Sequence, residues 1–282
     1  MSNIAETKPR VDRTFVYRHS LATRLTHWIN VFCLTILLFS GLQIFNAHPM
    51  LYWGQYGADN DTPFISISAV QDGDSYRGVT TIGGLSVATT GVLGVSRVAG
   101  ELTPRAFPDW LTLPSFQDLA TGRRWHFFFA WLFVINGLAY FLFGLFNGHF
   151  RRDLLPNVDQ LTPSHIAHEI VDHARLRFPK GEEAKRYNAL QKLAYLAVAF
   201  ILLPLMILTG LTMSPAMDVA FPFLLNLFGG RQSARTIHFL TASGLVAFVV
   251  IHIVMVLVSG VWNNLRSMVT GYYAITPDRT AP

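Results

Sequence analysis

Four stretches of this 282-residue chain, Leu25–Phe45, Trp125–Phe146, Leu193–Met213 and Thr236–Val261, contain no Asp, Glu, Lys or Arg. Each runs for 21 to 26 residues, and about 20 helical residues cross the hydrocarbon core of a bilayer. Four transmembrane helices follow, and they set the terms for everything else. The composition agrees: charged residues make up 14% of the chain, against about a quarter in a soluble domain. A cytosolic globular enzyme is thereby excluded, and 22 Phe exclude a disordered chain, which is poor in aromatics. The expected fold is an all-α membrane protein, a four-transmembrane-helix bundle spanning residues 25–261. A tail of residues 1–24 precedes it and a tail of residues 262–282 follows it.

Two further apolar segments are not expected to span. Val79–Gly100 is uncharged except for Arg97 but dense in Gly, Thr and Ser, which reads as surface structure in a long loop. Pro215–Phe228 has one charge, Asp218, and 14 residues, a length that suits an interfacial or re-entrant piece. About two dozen mostly polar residues precede the first span, which is therefore read as retained rather than as a signal peptide.

Orientation comes from the basic residues. Of 22 Lys and Arg, 15 lie in the N-terminal segment (Lys8, Arg10, Arg13, Arg18, Arg24), in the 147–192 loop (Arg151, Arg152, Arg175, Arg177, Lys180, Lys185, Arg186, Lys192) and after the last span (Arg266, Arg279). By the positive-inside rule both termini are cytoplasmic. The 46–124 loop is then a long, ordered, extracytoplasmic cap, with aromatics and prolines in His48-Pro49-Met50-Leu51-Tyr52-Trp53-Gly54 and Phe107-Pro108-Asp109-Trp110. The basic excess is a topology signal; no motif supports nucleic-acid binding.

Cys33 is the sole cysteine, so an internal disulfide or a cysteine-held cluster is excluded. Ten histidines remain as metal ligands, and His27, His126, His238 and His252 fall inside the spans. An ionisable group in a transmembrane helix is by default a functional one. His238 and His252 are 14 residues apart, about 21 Å along a helix axis and only some 40° apart around it. Spans that alternate in direction place His27 at the depth of His252, near the inner face, and His126 at the depth of His238, near the outer face. Two histidines at one depth on facing helices suit bis-axial ligation of a haem iron. Gly41, Gly137 and Gly144 lie on the faces of His27 and His126 and offer room for a haem edge. The third span carries no histidine and serves as wall, bent or loosened at Pro204 and Gly210. Zinc, which takes three or four ligands around one point, does not match two pairs about 20 Å apart. Without a Cys-x-x-Cys-His motif any haem is non-covalent and b-type. The residues thus predict two b-type haems, an inner one on His27 and His252 and an outer one on His126 and His238.

This arrangement resembles the bacterial cytochrome b561-like dihaem membrane cytochromes, which include the b-type cytochrome subunits of nickel-iron hydrogenase, formate dehydrogenase and thiosulfate reductase. The resemblance rests on the four histidines, on Arg24-Leu25-Thr26-His27-Trp28, on Asn147-Gly148-His149-Phe150-Arg151-Arg152 and on Arg186-Tyr187-Asn188-Ala189-Leu190-Gln191-Lys192-Leu193. The His48–Gly54 segment is similar to members that serve as membrane partners of molybdopterin oxidoreductases. The four spans are covered well and the first loop poorly. The resemblance implies a bacterial inner-membrane protein that passes electrons between the quinone pool and an extracytoplasmic redox subunit, to which substrate chemistry usually belongs. The chain departs from the shorter members that oxidise superoxide, whose first loop is brief, and from the five-span hydrogenase-type subunits.

Quinone reduction consumes protons, so proton-bearing groups belong beside the inner haem. Asn147 and His149 are the candidates for a quinone site, with His19, Arg24, Asn30 and Lys192 at similar depth. Asn147-Gly148 also reads as a helix C-cap, and Arg24 and Lys192 as snorkelling anchors. His165, His168 and Asp172 share a face that could take a metal, although a solvated amphipathic helix is the plainer reading. Two other functions stay open at this point: a stand-alone oxidoreductase such as a superoxide:quinone oxidoreductase, and a haem-free transporter or anchor in which the histidines relay protons.

Overall fold

The computed structural model describes residues 14–57, 61–98, 100–175, 177 and 188–275. Of the residues used above, Lys8, Arg10, Arg13, Lys180, Lys185, Arg186, Tyr187 and Arg279 lie outside them. Strand β1 (Thr14–Tyr17) leads into α1 (Leu21–Phe45), and α2 (Leu119–Phe146) is the second long helix. Beyond α3 (Pro163–Ala174), the third span Ala189–Thr212 runs as α4 (Ala189–Ala197), a π-helical turn (Val198–Leu202) and α5 (Leu203–Thr212). Two short helices, α6 (Pro215–Ala220) and α7 (Phe223–Leu227), precede α8 (Arg231–Val258), and α9 (Val261–Thr270) follows it.

α1, α2, Ala189–Thr212 and α8 are each long and apolar enough to cross a membrane. At most 22% of each apolar window is buried, so these helices turn most of their apolar side chains outward. Soluble monomers do not show continuous apolar surface on that scale, and the chain is a multi-pass membrane protein. The helix limits differ from those read off the charges because charged first turns are helical too. Arg231 is paired with Asp218 of α6, and Arg235 donates to the His48 and Met50 carbonyls, so α8 begins before its apolar stretch. It ends earlier as well, because Ser259 and Gly260, with Gly260 at φ 113°, interrupt the helix. Pro204 widens the third span as expected. Its ring, lacking an N–H, stands at the start of α5, and the preceding turn is the π-helical one. Pro215–Phe228 holds two short helices and does not span.

The expectation of an all-α chain is corrected by the 46–124 loop, which carries six β-strands among its described residues. A four-stranded antiparallel sheet has the order β2 (Met50–Leu51), β3 (Ile65–Asp72), β4 (Ser75–Ile82), β5 (Leu85–Ala88), and a separate hairpin joins β6 (Val95–Val98) to β7 (Glu101–Pro104). The reason is local. Asp72 pairs with Ser75 and Ile82 with Leu85, leaving Gly73-Asp74 and Gly83-Gly84 as two-residue connections. Gly73, Gly83 and Gly84 have positive φ, the conformation that tight hairpins require. On either side of the first turn, β-branched residues such as Ile65, Ile67, Val79, Thr80, Thr81 and Ile82 favour the pleated chain.

The chain divides into two compact units, to which α1, α2 and α8 all contribute. One comprises His27–Ala139 and Val198–Ala247. Its cores are Phe45, Leu51, Ile65, Ile67 and Ala106, under the sheet, and Cys33, Phe129 and Phe133, between helices. Buried Arg105 ties the exit of β7 to α1 by donating to Gln43 Oε1 at 3.2 Å and to Thr112 Oγ1 at 2.5 Å. Burial pulls its guanidinium below the ordinary arginine range, opposed by nearby Asp109.

The other unit comprises residues 1–26, Tyr140–Ala197 and Phe248–Pro282. Here the two segments expected to be tails pair with each other, β1 against β8 (Tyr272–Ile275), antiparallel. Asn263 of α9 clamps β8, donating to Ala274 O at 2.8 Å and accepting from Ala274 N at 2.9 Å. Glu169 of α3 accepts from the N–H groups of Ala189 and Leu190 at 3.1 and 3.0 Å, capping the start of the third span. Lys192 is buried rather than snorkelling, donating to Leu155 O and Gln160 Oε1, both at 3.2 Å.

Gly94 marks a close crossing within the β-structure. At φ 79°, a Cβ there would strike the Ser68 carbonyl and stand 2.9 Å from Gly78 Cα. Gly94→Ala is expected to destabilise this part by about 1–3 kcal/mol from the backbone conformation alone, with the clash added. Limited proteolysis should then cut between residues 61 and 104 while the four spans stay resistant; an unchanged cleavage pattern contradicts the packing described.

Candidate functional site

His126 sits in the second turn of α2 and His238 in the second turn of α8, so the way each helix starts decides where the imidazole goes. Asp118 caps α2, its Oδ1 accepting from Thr121 N at 3.0 Å, and that bond holds the exposed carboxyl below the usual carboxylate range. The start of α8 is capped by the loop after β2. The Gly54 carbonyl accepts from Gln232 N and Ser233 N at 3.1 and 3.0 Å, Gly54 N donates to Ser233 Oγ at 2.7 Å, and Thr236 Oγ1 donates to Tyr52 O at 2.6 Å. The orphan N–H groups of a helix N-terminus are thus satisfied in the membrane-facing part of the chain. Gly230, at φ 109°, makes this approach possible, since a Cβ there would lie 2.6–2.7 Å from the Gly54–Gln55 backbone. The His48–Gly54 segment singled out in the sequence is therefore the piece that fixes α8 against the β-structure.

His126 and His238 come together. Their ring centroids lie 6.4 Å apart with an interplanar angle of 63°. Two imidazoles bound to opposite sides of one metal ion at about 2.0–2.1 Å per metal–nitrogen bond need a separation of this size. The flanking chain leaves space on both sides. Gly41 of α1 and Gly210 of α5 face the two rings: a Cβ on Gly41 would lie 3.3 Å from His126 Cε1, and one on Gly210 3.4 Å from His238 Cε1. Each ring also meets a hydroxyl, Ser40 Oγ at 3.1 Å from His126 Nδ1 and Thr209 Oγ1 at 3.0 Å from His238 Nδ1. With both Nδ1 atoms engaged, the two Nε2 atoms are the nitrogens left to a metal, and a b-type haem fits this donor set.

The remaining candidates stand as follows. His27 packs edge-on to Trp28 at 5.3 Å and belongs to the first unit described above. His252 stacks on Phe248 at 5.9 Å and belongs to the second. Asn30 accepts from Asn136 Nδ2 at 2.8 Å, which gives it a helix-pairing role. Asn147 Nδ2 donates to Phe143 O at 3.1 Å and Gly148 has φ 63°, the C-cap geometry. His149, half-buried, sits among the rings of Tyr140, Phe143 and Phe150 at 6.1–6.4 Å. Arg24 donates to Val269 O at 2.5 Å, and His19 is buried. Of the glycines expected to make room for a haem edge, Gly41, expected at the outer depth, flanks His126 of the outer pair. Gly137 has nothing within 4 Å of its Cβ position, whereas the space at Gly144 is filled by the Phe150 ring. On α3, His165 and His168 are drawn to Glu169 and Asp172 at 3.0 and 3.2 Å, and among the described residues no group of three or more His, Cys, Asp or Glu could hold a metal ion.

Ser40 and Thr209 are not singled out by the sequence analysis, which gives the third span a passive part with Gly210 only as a point of loosening. A signal did exist: both hydroxyls are followed by glycine, in Ser40-Gly41 and Thr209-Gly210.

Comparison with known proteins identifies the family. A family model described as prokaryotic cytochrome b561 matches residues 18–271. The chain is 29% identical over 250 residues, 88% of its own length and 93% of the other's, to the putative protein-methionine-sulfoxide reductase subunit YedZ1 of Azospira oryzae. No solved structure matches. Overpacking at this site costs about 1–3 kcal/mol, so Gly41→Leu is expected to lower haem content by about one site per chain, while Gly137→Ala, facing open space, keeps it. Haem extraction from the purified variants checks this, and full haem content in Gly41→Leu contradicts it.

Proposed function

The chain belongs to the prokaryotic cytochrome b561 family, membrane proteins that bind b-type haem, and on that premise we propose that it carries electrons through two haems between the quinone pool and an extracytoplasmic redox subunit. The observation that carries this reading is the His126–His238 pair, 6.4 Å apart between ring centroids, with both Nδ1 atoms hydrogen-bonded. Haem iron held by two imidazoles has no open coordination position and supplies one-electron transfer rather than oxygen chemistry. His126 and His238 would hold the outer haem. His27 and His252, the latter 14 residues along α8 from His238, would hold the inner one.

The protein's own groups then have separate tasks. Ser40 and Thr209 orient the outer imidazoles, while the Gly54–Ser233 and Gly54–Gln232 bonds fix the height of His238. Near the inner haem, His149 would hold or pass a proton to a quinone oxygen and Asn147 would offer its amide. Support for that assignment is the half-buried position of His149 among aromatic rings at the end of α2. The first loop exposes Trp53, Tyr56, Trp110 and Phe116, aromatic anchors of the kind that interfaces use, and would dock the partner. That partner is proposed to be a molybdopterin-type oxidoreductase of the outer compartment, and the relative named as a reductase subunit supports a subunit role. The long folded first loop favours this over a stand-alone superoxide:quinone oxidoreductase. Both termini would lie in the cytoplasm, a reading supported by the positive-inside distribution, and the protein would sit in the bacterial inner membrane.

Reduced-minus-oxidised spectra of purified protein test the reading. Wild type is expected to show b-type bands that quinol reduces. His126→Ala and His238→Ala should each remove the same spectral component, and His27→Ala and His252→Ala the other. Absence of b-type bands in wild type contradicts the reading, as does loss of a common component from His126→Ala and His27→Ala.

A further inference from the structure

We propose that Ser40 and Thr209 are positioning residues that lock the tautomer of His126 and His238 and thereby lower the reduction potential of the haem between them. The inference rests on the haem reading above and adds what these two hydroxyls do. Proton counting carries it. A hydroxyl has one proton to donate, and a carbonyl oxygen can only accept. Ser40 Oγ lies 2.6 Å from the Ile36 carbonyl and Thr209 Oγ1 2.6 Å from the Leu205 carbonyl, so each hydroxyl proton goes to its own helix one turn back. Toward the imidazoles, at 3.1 and 3.0 Å, both hydroxyl oxygens can therefore only accept. His126 and His238 must then each carry their proton on Nδ1, and a neutral imidazole protonated there has its lone pair on Nε2.

A serine or threonine bonded to the carbonyl one turn back is ordinary in a helix. That habit alone does not bring the two hydroxyls onto the Nδ1 atoms of two imidazoles that face each other. The glycine after each hydroxyl completes the device: Gly41 and Gly210 let the rings come within 3.3–3.4 Å of where a Cβ would sit, close enough for the neighbouring hydroxyl to be reached. α1 and α5 thus make the same Ser/Thr-Gly contact to imidazoles on α2 and α8. An Nδ1–H donated to an acceptor makes Nε2 a more basic ligand, which stabilises ferric iron over ferrous iron. Removing either acceptor should raise the potential of this haem and leave the other alone.

Potentiometric titration with optical and electron paramagnetic resonance detection, on full-length protein in lipid nanodiscs, tests the proposal through Ser40→Ala, Thr209→Val and Thr209→Ser. One of the two b-type components is expected to shift to higher potential in Ser40→Ala and in Thr209→Val, and further in the double variant. Its low-spin ferric signal should move with it while the second component stays in place, and Thr209→Ser should match wild type. Unmoved midpoints and signals in Ser40→Ala and Thr209→Val overturn the proposal, as does a Thr209→Ser shift equal to that of Thr209→Val. If Thr209→Val binds too little haem to titrate, Ser40→Ala alone decides between these outcomes. A wild-type protein without b-type bands overturns the haem reading itself, whereas two wild-type haems with unmoved potentials in the variants overturn only the role of the hydroxyls.

Discussion

A polar group inside hydrocarbon must find a partner, because leaving a hydrogen-bonding group unpaired there costs several kcal/mol. That constraint organises this protein more than any apolar contact. The imidazoles of His126 and His238 meet it with a hydroxyl on one side and a metal-ready nitrogen on the other. Asn30 and Asn136 meet it by bonding to each other. The N–H groups at the start of α8 meet it through the Gly54 carbonyl. Each solution joins a span to another element, so the polar exceptions hold the apolar helices in register.

The same constraint explains the first loop. A 46–124 segment that only closed the chain could be an irregular surface strap. Here it folds on its own core of Leu51, Ile65, Ile67 and Ala106 with Phe45 from the end of α1. It then delivers Tyr52 and Gly54 to the first turn of α8. The loop that would receive a partner is therefore also the part that fixes His238, which would give docking a short mechanical route to a proposed haem ligand.

Much of this was legible in the sequence, and the reasons are physical. Long uncharged stretches can be read because the bilayer sets a length, and the 14-residue spacing of His238 and His252 can be read because a straight helix sets a rise and a rotation. The β-structure was harder: its strands are 2 to 8 residues long, and the Gly83-Gly84 turn falls inside a segment that length and composition alone describe as a weakly apolar loop. Charged helix ends were missed at Arg231 and Arg235 because charge was used as the boundary. Ser40 and Thr209 were invisible for a different reason. Their importance lies in which imidazole they face, and that depends on packing between helices rather than on any spacing within one.

The central claim is that the histidines inside the spans hold two six-coordinate haems. Haem-to-protein stoichiometry by pyridine haemochromogen assay, combined with electron paramagnetic resonance of the ferric protein, tests it most directly. The account predicts two b-type haems per chain, both low-spin with bis-imidazole ligation. One haem per chain, or a high-spin ferric signal from iron with an open coordination position, contradicts it.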